Sequence, residues 1–190
     1  MRVSALGQAT LEGMRRGGVV GVVKHMPGHG RALVDSHYDL PRVKADADAL
    51  EVDLEPFTRL NDAPMGMTCH VVFDAWDGEQ PATLSAKVIA EIIRGRVGFD
   101  GLLMTDDIDM KALSGTAGEK AVQALAAGCD VVLDCWARMD EMVEIAGLIG
   151  EATPECVVRL ERAMATIAAG PQEADFGALI AKRDELLALA

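Results

Sequence analysis

The sequence is poor in cysteine and has no long apolar run. Its 190 residues include four cysteines and no C-x-x-C pair, and such sparse usage predicts reduced thiols without a disulfide framework. The longest apolar run near the N-terminus covers residues 17–23, far short of the roughly 20 residues of a membrane helix. The sequence also lacks a secretory signal pattern. We therefore expect a cytoplasmic protein with no membrane partner.

Basic residues are also in short supply. Eighteen Lys and Arg stand against thirty Asp and Glu, which gives a formal net charge of −12. This charge repels phosphate backbones, so nucleic acid is not an expected partner. The sequence contains neither G-x-G-x-x-G nor G-x-x-x-x-G-K-[ST], and no phosphate-binding loop is predicted.

The remaining composition is that of a globular protein. Hydrophobic residues make up 50% and charged residues 25% of the chain, which excludes disorder and low-complexity sequence. The length fits a single domain over residues 1–190, or most of a larger one.

Short apolar runs alternate with helical patterns along the chain. The predicted strands cover residues 19–23, 65–72, 101–105 and 131–133. The predicted helices cover residues 4–16, 46–61, 117–127 and 138–149, with one more capped by Ser85 and two after Thr153-Pro154. Proline is tolerated only in a first turn, so Pro56 is expected to split the helix over 46–61 into two pieces. No hairpin signal separates the strands.

This alternation predicts a parallel α/β sheet, with a doubly wound sheet as the first alternative to a barrel. In both folds ligands bind at the carboxyl ends of the strands. Polar residues follow these ends, so we expect one edge of the sheet to collect Lys24, His25, His70 and Asp106.

The densest polar segment, KHMPGHGRALVDSH at residues 24–37, holds three of the four histidines. Imidazole and carboxylate suit zinc, and the candidate ligands are His25, His29, His37 and Asp35. However, Pro27 and Gly28 separate the first two histidines, which prevents the shared helical face of an H-E-x-x-H site. We therefore expect no metal.

A second hypothesis for this segment is an acid/base dyad. Asp35 and His37 are two residues apart, so in an extended or turn-like loop both side chains can point the same way. The carboxylate would then orient the imidazole and favour its protonated form, so that the ring could transfer protons near neutral pH. A polar surface loop with incidental histidines is the alternative, and the spacing alone does not decide between them.

Asp106 and Asp107 directly follow the apolar run GLLMT. A carboxylate at a strand end is placed to attack or stabilise a bound substrate, while its neighbour must point elsewhere and can hold the loop. Helix capping is the alternative role for either aspartate, and spacing alone favours it.

Together these motifs resemble glycoside hydrolase family three, in particular its bacterial β-N-acetylglucosaminidases of peptidoglycan recycling. The resemblance rests on KHMPGHG, DSH and GFDGLLMTDDIDMKAL. The linked pattern K-H-x-P-G-H-G-x4-D-S-H distinguishes the N-acetylglucosaminidase branch, and the resemblance extends over nearly all 190 residues. It implies a TIM-type (β/α)8 barrel, of which this chain would supply about the last four βα units, a half-barrel, plus C-terminal helices.

The resemblance also implies an activity and a role for each site residue. The enzyme would be a retaining exo-β-N-acetylglucosaminidase that needs no cofactor and acts on N-acetylglucosamine-containing saccharides or muropeptides. Asp106 would be the nucleophile, and His37 the general acid/base with Asp35 as its dyad partner. Sugar hydroxyls would be bound by Lys24, His25 and His70. A histidine in place of a second carboxylate does not repel anions, so water and phosphate both stay open as acceptors.

A second function class is a catalytically silent half-barrel that binds sugar or assembles with another chain. The retained set of Asp35, His37 and Asp106 favours the enzyme. Four strands do not close a barrel, which favours assembly. The expected partner is a second copy or an N-terminal half-barrel.

Overall fold

The computed structural model describes residues 2–189. Its strands, in chain order, are β1 (Val22–Met26), β2 (Arg42–Val43), β3 (Met65–Thr68), β4 (Val72–Phe73), β5 (Asp77–Pro81), β6 (Leu102–Asp107) and β7 (Val131–Leu133). Its α-helices are α1 (Arg2–Arg16), α2 (Ala47–Thr58), α3 (Ala117–Ala127), α4 (Met139–Leu148), α5 (Pro154–Ala165) and α6 (Phe176–Leu187), with a 3₁₀ turn (Ala82–Leu84) and a π-helix (Val88–Arg96). None of the helices described is long and apolar enough to cross a bilayer.

Strand order identifies the type of sheet. The main sheet runs β1-β3-β6-β7, and every pairing in it is parallel. This order follows the chain in one direction, as in a (β/α)8 barrel, whereas a doubly wound sheet reverses at a switch point. The barrel-type prediction is confirmed and the doubly wound alternative is wrong. Within residues 2–189 the sheet is open, because β1 and β7 each pair with a single neighbour.

The first strand lies further along the chain than predicted. Residues 19–23 were the expected strand, but β1 covers Val22–Met26 and its register with β3 starts at Val22 opposite Met65. The Val19 N–H instead donates to the Met14 carbonyl at 2.9 Å and closes the end of α1. Lys24 and His25 are therefore inside the strand and not behind it.

The prediction that Pro56 splits a helix is wrong. Asp46 caps α2 by accepting the Ala49 N–H at 2.8 Å, and the helix continues to Thr58. Pro56 lies in the last turn of α2, where its missing N–H removes one hydrogen bond, that to the Val52 carbonyl, and the helix ends two residues later.

A hairpin that the sequence did not predict follows β3. The expected strand over 65–72 is divided into β3 and β4, and β4 pairs antiparallel with β5 and parallel with β2. Strands of two residues carry no alternation, and the connection at 74–76 contains no glycine or asparagine, so the usual hairpin signals are absent. The resulting three-stranded sheet connects residue 43 to the segment that follows His70.

The other helices agree with their patterns. Ser85 accepts the Val88 N–H at 3.0 Å, and Gly128 ends α3 with a positive φ of 114°. The predicted apolar stripe on the π-helix is buried and comprises Val88, Ile89, Ile92 and Ile93.

The fully buried Phe99 ring lies very close to Gly66 of β3. A Cβ atom at residue 66 would be 2.9 Å from that ring. Only glycine permits this approach of ring and strand.

The amino-terminal edge of the main sheet is held by a buried ion pair network. The Asp130 carboxylate accepts hydrogen bonds from Arg94, Arg159 and the Leu103 N–H, each at 2.8 Å. Arg159 also donates to Asp100 at 3.1 Å. The Asp130 side chain is 5% exposed and that of Asp100 is 67% exposed.

We predict that Asp130→Ala lowers the free energy of unfolding by about 3 to 5 kcal/mol, because it leaves the largely buried Arg94 guanidinium without its counter-ion. The matched control is Asp100→Ala, which removes an exposed partner of Arg159 and should cost less than about 1 kcal/mol. Urea unfolding of the three proteins measures both values. Equal losses of unfolding free energy in the two variants would show that the burial of Asp130 does not add to its contribution to stability.

Candidate active site

The carboxyl ends of the parallel strands meet at one edge of the sheet, which we call the carboxyl edge. There the His25 Nε2 lies 3.5 Å from Asp106 Oδ2. The His70 Nε2 lies 2.9 Å from the Asp107 carbonyl oxygen, and the Cys135 N–H donates to Asp107 Oδ1 at 3.1 Å. The structure thus brings together groups from four strands, as the strand-end argument predicts.

The two aspartates at the end of β6 point in different directions. Asp106 Oδ1 accepts the Asp107 N–H at 2.9 Å, which leaves Oδ2 directed toward His25. Asp107 Oδ1 accepts the N–H groups of Asp109 and Cys135 and holds the following loop. Neither aspartate caps α3, because Thr116 and Glu119 form the capping box of that helix. The capping alternative is therefore wrong for both.

His25 lies beside the Asp106 carboxylate in a partly desolvated position. Burial lowers the pKa of His25, while the negative charge of Asp106 acts against that shift. The charge of the exposed Lys24 lowers the His25 pKa further. A neutral imidazole here offers one donor and one acceptor nitrogen to a polar ligand.

The loop over residues 27–41, the histidine loop, starts at the end of β1 and is held by side chains. Arg31 forms an ion pair with Asp53 of α2 and donates to the Ala49 carbonyl at 3.0 Å. His29 Nε2 and Ser36 Oγ are 3.3 Å apart inside the loop. At its far end, the Val72 N–H donates to the Pro41 carbonyl at 2.9 Å, which joins the loop to the small sheet.

Asp35 and His37 form the dyad that their spacing suggested. Asp35 Oδ1 lies 2.7 Å from His37 Nδ1 and also accepts the His37 N–H at 2.9 Å. The hydrogen bond that its ring donates to Asp35 raises the pKa of His37, and the bonds that Asp35 accepts from His37 lower the pKa of Asp35. Both side chains are exposed, so the other ring nitrogen of His37 is accessible to solvent. The arrangement favours a dyad over a loop with incidental histidines.

The dyad faces the same edge as the aspartates. The negative charges of Asp106 and Asp107 raise the His37 pKa in addition to Asp35. The Lys111 ammonium, in the loop after β6, lies 6.0 Å from the centre of the Tyr38 ring, within the range of a cation–π contact. The histidine loop therefore lies against the loop that follows Asp107.

His70 does not occupy the position expected of a sugar ligand. It is 0% exposed. Its Nδ1 lies 2.8 Å from Thr83 Oγ1, and its Nε2 is used by the Asp107 carbonyl. Both ring nitrogens are bonded to protein groups on the interior side of the strand end. His70 therefore supports the backbone of the aspartates from the interior, which corrects its predicted role as a sugar ligand.

The buried Cys69 and Cys129, and Cys135 at the carboxyl edge, lack the properties of nucleophiles. Burial raises the pKa of both Cys69 and Cys129 to about 12, so their thiols stay protonated at neutral pH. Burial and the Asp107 carboxylate also raise the pKa of Cys135.

No metal-binding arrangement of three or more His, Cys, Asp or Glu side chains occurs in the part of the chain that is described. In the zinc hypothesis His37 and His29 would both be ligands. His37 Nδ1 is instead bonded to Asp35, and His29 Nε2 lies beside Ser36.

Sequence reasoning missed three residues that support the site. Thr83 contacts His70, Lys120 donates to the Ile108 carbonyl at 3.0 Å, and Arg31 anchors the histidine loop. Thr83 and Lys120 are isolated residues in segments that predict only helix or turn. Arg31 lies inside the recognised motif, but its partner Asp53 is 22 residues away.

Comparisons with known proteins identify the family of this chain. The model of the glycosyl hydrolase family 3 N terminal domain matches residues 1–169. A beta-hexosaminidase from Chromobacterium violaceum is 43% identical over 165 residues, which cover 84% of this chain and 46% of that protein. A glycoside hydrolase family 3 beta-N-acetylglucosaminidase from Paenibacillus superposes with a TM-score of 0.74 at 32% identity, over 90% of this chain and 36% of that one.

A second solved structure is NagZ from Neisseria gonorrhoeae in complex with N-trifluoroacetyl-D-glucosamine. It superposes with a TM-score of 0.73 at 31% identity, over 87% of this chain and 50% of that chain. The chain therefore belongs to glycosyl hydrolase family 3, and its sheet is part of a TIM-type barrel. It spans about half the length of the curated relatives it matches.

We predict that Asp35→Asn lowers the pKa of His37 toward the ordinary value near 6.5, because the imidazolium loses a charged hydrogen-bond acceptor. NMR titration of the His37 ring protons measures the shift. Asp39→Asn is the matched control, since the Asp39 carboxylate bonds to the Leu40 N–H and not to His37. An unchanged His37 pKa in Asp35→Asn would contradict the dyad.

Proposed function

We propose that this protein is a retaining exo-β-N-acetylglucosaminidase. The observation that carries the proposal is the carboxyl edge itself, where Asp106 presents Oδ2 and the exposed Asp35–His37 dyad faces the same end of the sheet. Relatives of the chain are named beta-hexosaminidase, and one solved relative holds an N-acylated glucosamine. These likenesses support a terminal N-acetyl-β-D-glucosamine residue as the substrate group.

In the first step Asp106 Oδ2 forms a bond to the anomeric carbon while the bond from that carbon to the leaving oxygen breaks. His37 donates its proton to the leaving oxygen, and a glycosyl-enzyme results. The Asp35 carboxylate favours this step, because it keeps His37 protonated to a higher pH than a free imidazole.

In the second step the neutral His37 accepts a proton from water, and the water oxygen replaces Asp106 at the anomeric carbon. Two displacements retain the configuration of the sugar. The same neutral imidazole places no negative charge in the path of an anion, so inorganic phosphate is compatible as the second acceptor.

Lys24 and His25 are the proposed ligands of the sugar hydroxyls. His25 lies beside Asp106, and Lys24 is exposed on the same strand. We further propose a muropeptide-type glycoside as the natural substrate, in keeping with a cytoplasmic location and a role in peptidoglycan recycling. The aglycone site would then lie between the histidine loop and the loop after β6.

The open sheet favours a second candidate function, that of a silent half-barrel that binds sugar or assembles with another chain. Both edge strands of the described sheet are unpaired on one side. Helices α4 and α6 bury no residue, and several of their large apolar side chains are more than half exposed, among them Met139, Val143, Phe176 and Leu187. A cavity of about 710 Å³ separates β7 from α4 and α5.

We predict that Asp106→Ala lowers turnover of an aryl N-acetyl-β-glucosaminide by about 10³-fold or more, because no glycosyl-enzyme can form. Asp107→Ala should lower it less, since Asp107 holds the loop and does not attack. Release of nitrophenol measures both. A fluorinated sugar that traps the intermediate should label Asp106, and a label on any other residue would contradict the assignment. Failure of the wild-type chain to turn over or become labelled would favour the silent half-barrel.

The exposed apolar faces also predict association. We expect a native mass above 20.1 kDa, because unpaired strand edges and contiguous apolar surface bind other polypeptide. Native mass spectrometry over a concentration series distinguishes a second copy from a monomer. A monodisperse 20.1 kDa species that unfolds cooperatively and binds no hydrophobic dye would contradict this prediction.

A further inference from the structure

Two buried side chains hold the backbone directly after the Asp106 carboxylate. The His70 Nε2 lies 2.9 Å from the Asp107 carbonyl, and the Lys120 Nζ lies 3.0 Å from the Ile108 carbonyl. His70 is 0% exposed and Lys120 is 8% exposed. Consecutive carbonyls at the end of β6 are thus bound from the interior, where water cannot replace the donors.

The hydrogen positions around His70 follow from what each partner can do. A carbonyl only accepts, so Nε2 carries the hydrogen and donates to Asp107. Burial lowers the pKa of His70 and keeps the ring neutral, so Nδ1 is an acceptor, 2.8 Å from the Thr83 hydroxyl. That hydroxyl also donates to the Cys69 carbonyl at 3.0 Å and lies 2.8 Å from the Thr68 hydroxyl. His70, Thr83 and Thr68 are fully buried, and the Asp107 carbonyl selects the tautomer of the imidazole.

This tautomer matters for the geometry of Asp106. The Asp107 residue whose carbonyl His70 binds also donates its own N–H to Asp106 Oδ1 at 2.9 Å. A rotation of the backbone at Asp107 would move that N–H and, with it, the carboxylate. Oδ2 would then lose its position beside His25.

We propose that His70 is a positioning residue for the Asp106 carboxylate, acting through the hydrogen bond from its Nε2–H to the Asp107 carbonyl. Thr83 contacts the other ring nitrogen and holds the ring in place. His70 touches no substrate in this arrangement. Its effect on turnover rests on the proposed function, whereas its effect on the position of Asp106 does not.

The test uses two amide variants of the same residue. The side-chain nitrogen of His70→Gln reaches about as far as Nε2 and keeps the donor to the Asp107 carbonyl. That of His70→Asn reaches only as far as Nδ1 and loses the donor. Both variants remove the imidazole, so any difference between them reports on the Asp107 hydrogen bond and not on the loss of a titratable ring.

The readout is the pKa of His25, measured by NMR titration of the folded chain. The charges that act on it are those of Asp106, Lys24, His29 and His70. If Asp106 moves away from His25, the imidazolium loses its nearest negative charge and the pKa falls. We expect His70→Asn to lower the His25 pKa by about 0.5 or more relative to His70→Gln. Equal His25 pKa values in the two variants would overturn the proposal, because a purely structural histidine would change stability and leave this titration alone.

Thr83→Val and Thr83→Ser provide a second pair in case His70→Asn does not fold. Valine removes the hydroxyl that contacts Nδ1 and holds the His70 ring, and should lower the His25 pKa, while serine keeps the hydroxyl and should restore it. Equal values in this pair would also overturn the proposal.

Turnover of the aryl glycoside gives an independent test of the role of His70. His70→Asn should lower kcat by about 10-fold to 100-fold relative to His70→Gln, with little change in KM, because the nucleophile is displaced while sugar binding is retained. Equal kcat values in an active pair would overturn the catalytic part of the proposal. If the wild-type chain shows no turnover, the proposed function fails, and the His25 titration still decides whether His70 positions Asp106.

Discussion

Parallel alignment of the four strands of the main sheet is the constraint on which the rest of the structure depends. Because β1, β3, β6 and β7 run in one direction, all their carboxyl ends reach the same edge. The apolar side chains that hold the strands against the helices, such as Phe99, Leu103 and Ile93, are fully buried and carry no chemistry. The polar residues of the site therefore lie in the last residues of the strands or directly after them. The site is a consequence of how the core is packed.

All four histidines of the chain lie at that edge or in the loop that follows it. Their environments differ in a way that separates their proton affinities. Desolvation lowers the pKa of His25 and His70, and the Asp35 carboxylate raises the pKa of the exposed His37. One kind of side chain can thus provide neutral hydrogen-bonding groups and a cationic proton donor at the same pH. These differences in pKa are set by the nearest partners of each histidine and not by the net negative charge of the protein.

The sequence predicted the elements that local patterns specify. Strands β6 and β7, the Thr153–Pro154 start of α5 and the Gly128 end of α3 all follow from composition and capping. The predicted start of β1 was too early because Val19 and Val20 have the composition of a strand. Pairing with Met65 and Gly66 decides where the strand begins. The hairpin of β4 and β5 was missed because β4 has only two residues and β5, with the sequence DGEQP, has no apolar alternation.

The same division applies to the site. Asp106 and the Asp35–His37 dyad were visible, since strand ends and close spacing are local features. The burial of His70 was not visible, because it depends on Thr83 and on the Asp107 carbonyl, 13 and 37 residues away in sequence. A histidine that follows a strand is predicted to lie at the edge of the sheet. The sequence does not tell whether its side chain faces the solvent or the interior.

The histidine loop is fixed to the body of the protein at two points, at Arg31 through α2 and at Pro41 through the small sheet. Between these points the chain acts as a tether, and its contour length sets how far His37 can reach. An insertion or deletion at residues 32–34 would change that reach without disturbing either attachment, and closing a slightly longer loop costs little free energy. Such a change can therefore move His37 relative to Asp106 while the sheet, the Asp35–His37 pair and the contact of His70 with Asp107 stay unchanged.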